Sequence, residues 1–125
     1  RNYEQKIKEA GGIDLMVLGI GVNGHIGFNE PGSPLGSGTR MVELAEGTKK
    51  RNFSEEEDNP KRALALGIRN IMQSEEIILL ASGERKAEII EKTLKEKISP
   101  KVPSTILRLH PRVSLILDEE AARLI

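Results

Sequence analysis

Two residues with acid–base character lie five positions apart in one glycine-rich loop. They are His25 and Glu30, in the stretch Leu18-Gly-Ile-Gly-Val-Asn-Gly-His-Ile-Gly-Phe-Asn-Glu30-Pro-Gly-Ser33. Histidine changes charge near neutral pH and a carboxylate can hold its tautomer, so the pair can pass a proton to or from a substrate. Asn23 precedes the histidine by two positions; its neutral amide can orient His25 but cannot act as a carboxylate base. Lys86 stands in the first turn after Ser82-Gly83, where a helix N-terminus also favours an anion. Each has a plainer reading. A histidine in a loop is more often a structural hydrogen-bonder, a glutamate before Pro31 can cap a turn, and most lysines are solvated. His110, just before Pro111, reads as structural.

The loop is entered from the apolar run Ile13 to Leu18 and holds seven glycines between Gly19 and Gly38. A mostly apolar, non-alternating run predicts a strand buried on both faces, as in a parallel sheet. Asp14 is its exception and reads as a strand-end polar residue. The glycines mark backbone that takes unusual dihedrals or approaches another group closely. Gly19, Gly21 and Gly24 match the G-x-G-x-x-G spacing of a dinucleotide site, but that motif needs a helix opening at the third glycine. Gly27, Pro31, Gly32, Pro34 and Gly36 follow instead, so no long helix forms there. The nucleotide P-loop pattern G-x-x-x-x-G-K-[ST] is absent.

The rest of the chain reads as scaffold. Residues 1–10 read as the end of a helix, with Tyr3, Ile7 and Ala10 at helical spacing and Gly11-Gly12 as the stop. Met41 to Leu44 predicts a short strand. The segment 48–59, with Lys49, Lys50 and Arg51 followed by Glu55 to Asp58, reads as an exposed loop or helix face. Ala63 to Leu66 predicts a short strand leading into a helix. Ile77 to Leu80 marks a second buried strand, followed by a helix over 84–97 with an inner stripe of Ala87, Ile90 and Leu94 and an outer Glu91–Lys95 pair. Ser104 to His110 predicts a short helix, Val113 to Leu117 a third buried strand, and Asp118 to Ile125 a final helix turn. Strands alternating with helices predict a single α/β domain over residues 1–125, with a parallel, Rossmann-like sheet sandwiched by helices. Ligands in such sheets bind at the C-terminal ends of the strands, where the loops after Leu18 and Ala81 both lie.

Composition narrows the function. Charged residues are 30% and hydrophobic ones 38%, and basic and acidic residues balance to a net charge of +0. A nucleic-acid binder usually shows a basic excess, so nucleic acid is not an expected partner. There is no cysteine, hence no disulfide framework and no thiolate metal site. No apolar run approaches the ~18 residues of a membrane helix, and no signal peptide is visible. A cytoplasmic protein without a membrane partner is the expectation. The first residue is Arg1 rather than Met, so the chain is expected to start inside a longer coding sequence.

The core Gly-Val-Asn-Gly-His-Ile-Gly-Phe-Asn-Glu-Pro-Gly-Ser resembles the signature of the glucosamine-6-phosphate deaminase (glucosamine-6-phosphate isomerase) family. The resemblance continues through Ser82-Gly-Glu-Arg-Lys-Ala87, Pro103-Ser-Thr-Ile-Leu-Arg-Leu-His-Pro111 and Ile116-Leu-Asp-Glu-Glu-Ala-Ala122. It implies opening of glucosamine 6-phosphate, isomerisation through an enediolamine, and release of fructose 6-phosphate and ammonia, with no metal or redox cofactor. It implies that His25 opens the sugar ring by proton transfer with Glu30 supporting it, that Asn23 stands where many members carry Asp, and that Lys86 contacts the sugar phosphate. Gly24 and Arg51 fall at substrate-binding positions. Ser33 and Arg40 fall where hexameric members build an allosteric phosphosugar site, although Val42 lacks the basic character expected nearby.

The resemblance covers a C-terminal half, since the family is about twice this length. The part before Arg1 is expected to carry the first strands, a phosphate loop, and the aspartate that moves a proton between C1 and C2. Within the match, Ser37-Gly38-Thr39 replaces a usual Ser-Arg-Thr, Arg51-Asn52-Phe53 stands near a usual Asn-x-Arg-Phe, and Arg69-Asn70 replaces a usual Gly-Thr. Two other readings stay open: a remnant that binds a phosphosugar or partner without catalysis, and a relative of 6-phosphogluconolactonase. A half sheet with an open edge and bare apolar faces is expected to self-associate or to join an N-terminal half.

Overall fold

The computed structural model describes residues 2–43 and 61–125. The basic cluster with Arg51, and the acidic run after it, lie outside the described residues. Chain order is helix α1 (Asn2–Glu9), strands β1 (Leu15–Leu18), β2 (Arg40–Glu43) and β3 (Arg62–Ala65), helix α2 (Ile68–Met72), strand β4 (Glu76–Ala81), helix α3 (Ala87–Lys95) and strand β5 (Val113–Leu117). One 3₁₀ turn, Glu84–Lys86, leads into α3, and a longer one, Pro103–Leu109, precedes β5.

β1, β4 and β5 form a parallel sheet in the order β1-β4-β5. Val17 is level with Ile78 and Leu18 with Leu79; Leu79 in turn is level with Leu115. Side chains alternate across a strand, so Leu18, Ile77 and Leu79 share one face. That face is the core: Ile89 and Ile90 of α3 and Leu107 of the Pro103–Leu109 turn pack on it. Burying each such aliphatic side chain stabilises the fold by roughly 1.5–3 kcal/mol relative to leaving it in water.

The opposite face differs from expectation. The apolar runs predict strands buried on both sides, yet Leu15 and Val17 of β1, Leu80 of β4 and Ile116 of β5 are about half exposed, between 43% and 55%. The described helices that cover the sheet, α3 with its neighbouring turn, lie on one side, so the second apolar face meets solvent. A second difference lies at the C-terminus, where residues 118–125 make turns rather than a helix. The Asp118 carboxylate takes the Ala121 N–H at 2.8 Å, as an N-cap does, and the Asp118 carbonyl takes the Ala122 N–H at 3.1 Å, but the turn is not continued as a helix.

β2 and β3 pair with each other, antiparallel, as a separate two-stranded ribbon with Met41 opposite Leu64. α1 ends at Gly11 and Gly12, both at positive φ, as the glycine pair foretells. Its polar anchor is Glu4, whose carboxylate accepts the Asn70 amide at 2.6 Å and the Arg69 guanidinium at 3.3 Å. Asn70 also caps α2, its side-chain oxygen accepting the Gly67 N–H at 2.9 Å. Among the described residues no helix is long and apolar enough to cross a membrane.

Candidate active site

The loop after β1 is shaped before its side chains are placed. Gly24 has φ +89°, a conformation open to glycine, and a Cβ there would lie 2.6 Å from Val102 Cγ1. Its carbonyl accepts the Ser104 N–H at 3.0 Å and its N–H donates to the Gly21 carbonyl at 2.9 Å. Ser104 is fully buried, and its hydroxyl meets that of Thr93 at 2.7 Å, which pins the loop to α3. Further along, Asn29 is fully buried with both polar atoms of its side chain engaged. Its amide donates to the Ile26 carbonyl at 3.0 Å and the Leu66 carbonyl at 2.8 Å, and its oxygen accepts Arg40 Nη1 at 2.9 Å. A satisfied buried amide of this kind rigidifies what it joins, here the loop and the β2–β3 ribbon.

His25 is half-buried on this frame. Its ring packs against Gly21, where any Cβ would overlap the imidazole, and the two residues are tied by a Gly21 N–H to His25 carbonyl bond of 3.0 Å. The ring Nδ1 is 2.9 Å from the Gly27 carbonyl oxygen. A carbonyl only accepts, so in the neutral ring Nδ1 carries the proton and Nε2 presents a lone pair. That is the tautomer a proton acceptor needs. The sequence suggests a carboxylate holding the tautomer; the structure gives that task to the Gly27 backbone carbonyl. Glu30 acts one step away: Asn23 Nδ2 donates to Glu30 Oε2 at 2.9 Å, and Asn23 Oδ1 accepts the His25 backbone N–H at 3.0 Å.

A cleft of about 560 Å³ opens at the C-terminal ends of all three parallel strands. Gly19 and Ile20 line it after β1, Ala81 and Ser82 at the end of β4, and Leu117 and Asp118 at the end of β5; Lys86 lines it with them. Gly19 and Ile20 of the cleft wall directly precede Gly21, against which the His25 ring packs. The Lys86 ammonium bonds the Ile20 carbonyl. At the helix N-terminus expected to favour an anion, one donor is already engaged. The Gly83 N–H is taken by both oxygens of Asp118, at 3.1 and 3.0 Å, so the protein's own carboxylate already fills that position.

His25, Asn23, Gly24 and Glu30 therefore come together on one loop, with Lys86 beside them. Arg40 reaches the same loop through Asn29. Ser33 closes a turn on it, donating its N–H to the Glu30 carbonyl at 3.0 Å. Arg51 lies outside the described residues. Sequence reading passed over Asn29, Ser104 and Asp118, although Asn29 lies inside the signature and Asp118 directly follows a parallel strand. Two of the departures noted above meet in space. The Arg69 guanidinium occupies the volume beside Gly38 that a side chain there would fill, and Glu4 Oε1 would be 2.9 Å from a Cβ at that position.

Residues 1–115 match the family model of glucosamine-6-phosphate isomerases/6-phosphogluconolactonase. The chain belongs to this family. A glucosamine-6-phosphate deaminase of Thermoanaerobacter pseudethanolicus is 51% identical over all of the chain, which covers 51% of that relative. One from Shouchella clausii is 53% identical over 98% of the chain, again covering 51% of the relative. A solved monomeric glucosamine-6-phosphate deaminase superposes with a TM-score of 0.94 at 45% identity, over 100% of this chain and 53% of that one. The 6-phosphogluconolactonase of Trypanosoma cruzi shares the fold, with a TM-score of 0.73 at 22% identity, over 98% of this chain and 49% of that one. The α/β, parallel-sheet architecture is thus that of the glucosamine-6-phosphate isomerase family. The chain spans about half the length of the curated relatives it matches.

Proposed function

We propose that this chain is the histidine-bearing part of a glucosamine-6-phosphate deaminase, acting on glucosamine 6-phosphate to give fructose 6-phosphate and ammonia. The observation that carries the reading is the His25 ring held with Nδ1 on the Gly27 carbonyl, which leaves Nε2 as the proton acceptor, on a loop whose residues Gly19 and Ile20 line the strand-end cleft. In the ring-closed amino sugar, the C1 hydroxyl must lose a proton and the ring oxygen must gain one. Nε2 takes the first and returns it to the second, a shuttle suited to imidazole. Asn23 and Glu30 fix the backbone from which the ring projects, and Gly24 shapes the loop. Lys86, which lines the cleft, holds the sugar phosphate as a point charge.

Aldose–ketose isomerisation also needs a base to carry a proton between C1 and C2. No side chain of this site is assigned that step, and the part of the relatives that the chain does not cover is the proposed source. The half-exposed apolar face of Leu15, Val17, Leu80 and Ile116 suits the same partner, because parallel sheets are normally covered on both sides. On this reading residues 1–125 are the C-terminal portion of a cytoplasmic enzyme of amino-sugar metabolism, without a resident cofactor. A solved relative is monomeric, so the apolar face is assigned to completing one subunit rather than to joining copies. The roughly 50% identity to named deaminases favours them over 6-phosphogluconolactonases, whose likeness is one of fold. Ser33 and Arg40 are not needed for this chemistry and stay with the regulatory reading.

The test is ammonia release from glucosamine 6-phosphate by the chain alone and by the chain mixed with the other half of a relative. Turnover only in the mixture supports the reading. Silence in a mixture whose halves demonstrably associate would favour the non-catalytic remnant.

A further inference from the structure

We propose that Asp118 is the positioning residue for Lys86, fixing the turn from which the lysine reaches the cleft. The inference rests on the assignment of Lys86 to the sugar phosphate made above.

Asp118 immediately follows β5. Its two carboxylate oxygens accept the Gly83 N–H at 3.1 and 3.0 Å, and Oδ1 also accepts the Ala121 N–H at 2.8 Å. Gly83 sits at φ +90° and ψ 155°, outside any helical conformation, at the junction between β4 and the turn that starts the next helix. A glycine there has many alternative conformations, and a bond to a charged acceptor is the kind strong enough to choose among them. The choice passes directly to the lysine: the Gly83 carbonyl accepts the Lys86 N–H at 3.1 Å, closing the turn. The Lys86 ammonium then bonds the Ile20 carbonyl, one residue before the glycine on which the His25 ring rests. The contacts run from the end of β5 to the end of β4 to the end of β1, three strands adjacent in the sheet.

Asp118 has a second effect on the same cleft. It lines the cleft with Lys86 and occupies the Gly83 N–H, so that donor is not open to a phosphate. A carboxylate that only capped the C-terminal turn would lower stability when removed without changing how phosphate is held. The two roles separate in kinetics.

The experiment compares Asp118→Ala, Asp118→Asn, Lys86→Met and the double variant D118A/K86M in the assembled deaminase. Loss of a charge-assisted bond of this kind raises KM for glucosamine 6-phosphate about tenfold in D118A, more than it lowers kcat. D118N keeps one acceptor oxygen and recovers part of that loss. D118A adds nothing further once Lys86 is Met, because it acts through the lysine. If D118A does not fold, D118N/K86M against K86M gives the same comparison, and Kd for inorganic phosphate gives it without turnover. A raised KM in K86M with an unchanged KM in D118A overturns the clamp and leaves the phosphate assignment standing. An unchanged KM in K86M removes both. Equal KM increases for D118A with and without Lys86 also overturn the proposal, since Asp118 would then act on its own.

Discussion

The side-chain amide of Asn23 stands between Glu30 and His25, donating to the Glu30 carboxylate at 2.9 Å and accepting the His25 backbone N–H at 3.0 Å. An amide has both a donor and an acceptor, and this position uses both. An aspartate, the residue resembled members often carry there, offers acceptors only.

Asn23→Asp therefore makes stability depend on pH in a way the parent lacks. Two carboxylates within hydrogen-bond reach share one proton, which raises the folded-state pKa of the pair above its unfolded value. A raised folded pKa means stability that is full at low pH and lost as pH rises. The N23D variant is expected to match the parent near pH 4 and to fall below it by about 1 kcal/mol at pH 8, on the scale of a surface carboxylate repulsion. Urea unfolding at the two pH values reads this out; a constant difference would show that Glu30 and residue 23 do not meet.

Gly21→Ala places a methyl group in the volume of the His25 ring. Either the loop or the ring must move, at about 1–3 kcal/mol, and the Nδ1 bond to Gly27 is lost with it. Gly36→Ala, where a Cβ meets nothing within 4 Å, stays within about 0.5 kcal/mol of the parent. Thermal unfolding of the two variants, with ammonia release for G21A, makes the comparison. Equal stability would mean the ring does not rest on Gly21.

Arg69 and Gly38 are expected to be coupled. Gly38→Arg alone drives a second guanidinium into Arg69, and Arg69→Gly alone loses the bond to Glu4. Each costs about 1–3 kcal/mol, and the double variant G38R/R69G recovers at least ~1 kcal/mol of their sum. Additive losses would show that the two positions do not share that space.

Glu4 gives α1 an acid-sensitive attachment. The Asn70 amide first, then Arg69, holds its carboxyl below the ordinary value of 4.5. A lowered folded pKa contributes stability that is present above about pH 4.5 and fades as pH falls through the lower folded value. Proteolysis within residues 2–9 should therefore accelerate below that pH in the parent, whereas Glu4→Gln shows the same rate on both sides of it. A parent rate independent of pH would contradict the anchor.

The parallel sheet was legible because Ile77 to Leu80 and Leu15 to Leu18 are short apolar runs closed by glycine or serine. The pairing of β2 with β3 was not, although a strand was expected near each, because residues as far apart in sequence as Arg40 and Ala65 are partners. His25 and Glu30 stood out by residue type. Asn29, Ser104 and Asp118 did not, since each works through a partner far away in sequence: Leu66, Gly24 and Gly83. Exposure of the second sheet face could not be read from the apolar runs, which report what a strand can bury and not whether a neighbour is there to bury it; it was expected only from the half length of the resemblance.

The most direct measurement is ammonia release from glucosamine 6-phosphate by the assembled enzyme carrying His25→Gln. Glutamine keeps a polar side chain of similar reach but cannot carry a proton between two oxygens. The expected result is a fall in kcat of about 10²-fold or more, the range for a lost general acid–base group. A kcat within a few-fold of the parent would contradict the proton shuttle at Nε2 and move the ring-opening step to another residue.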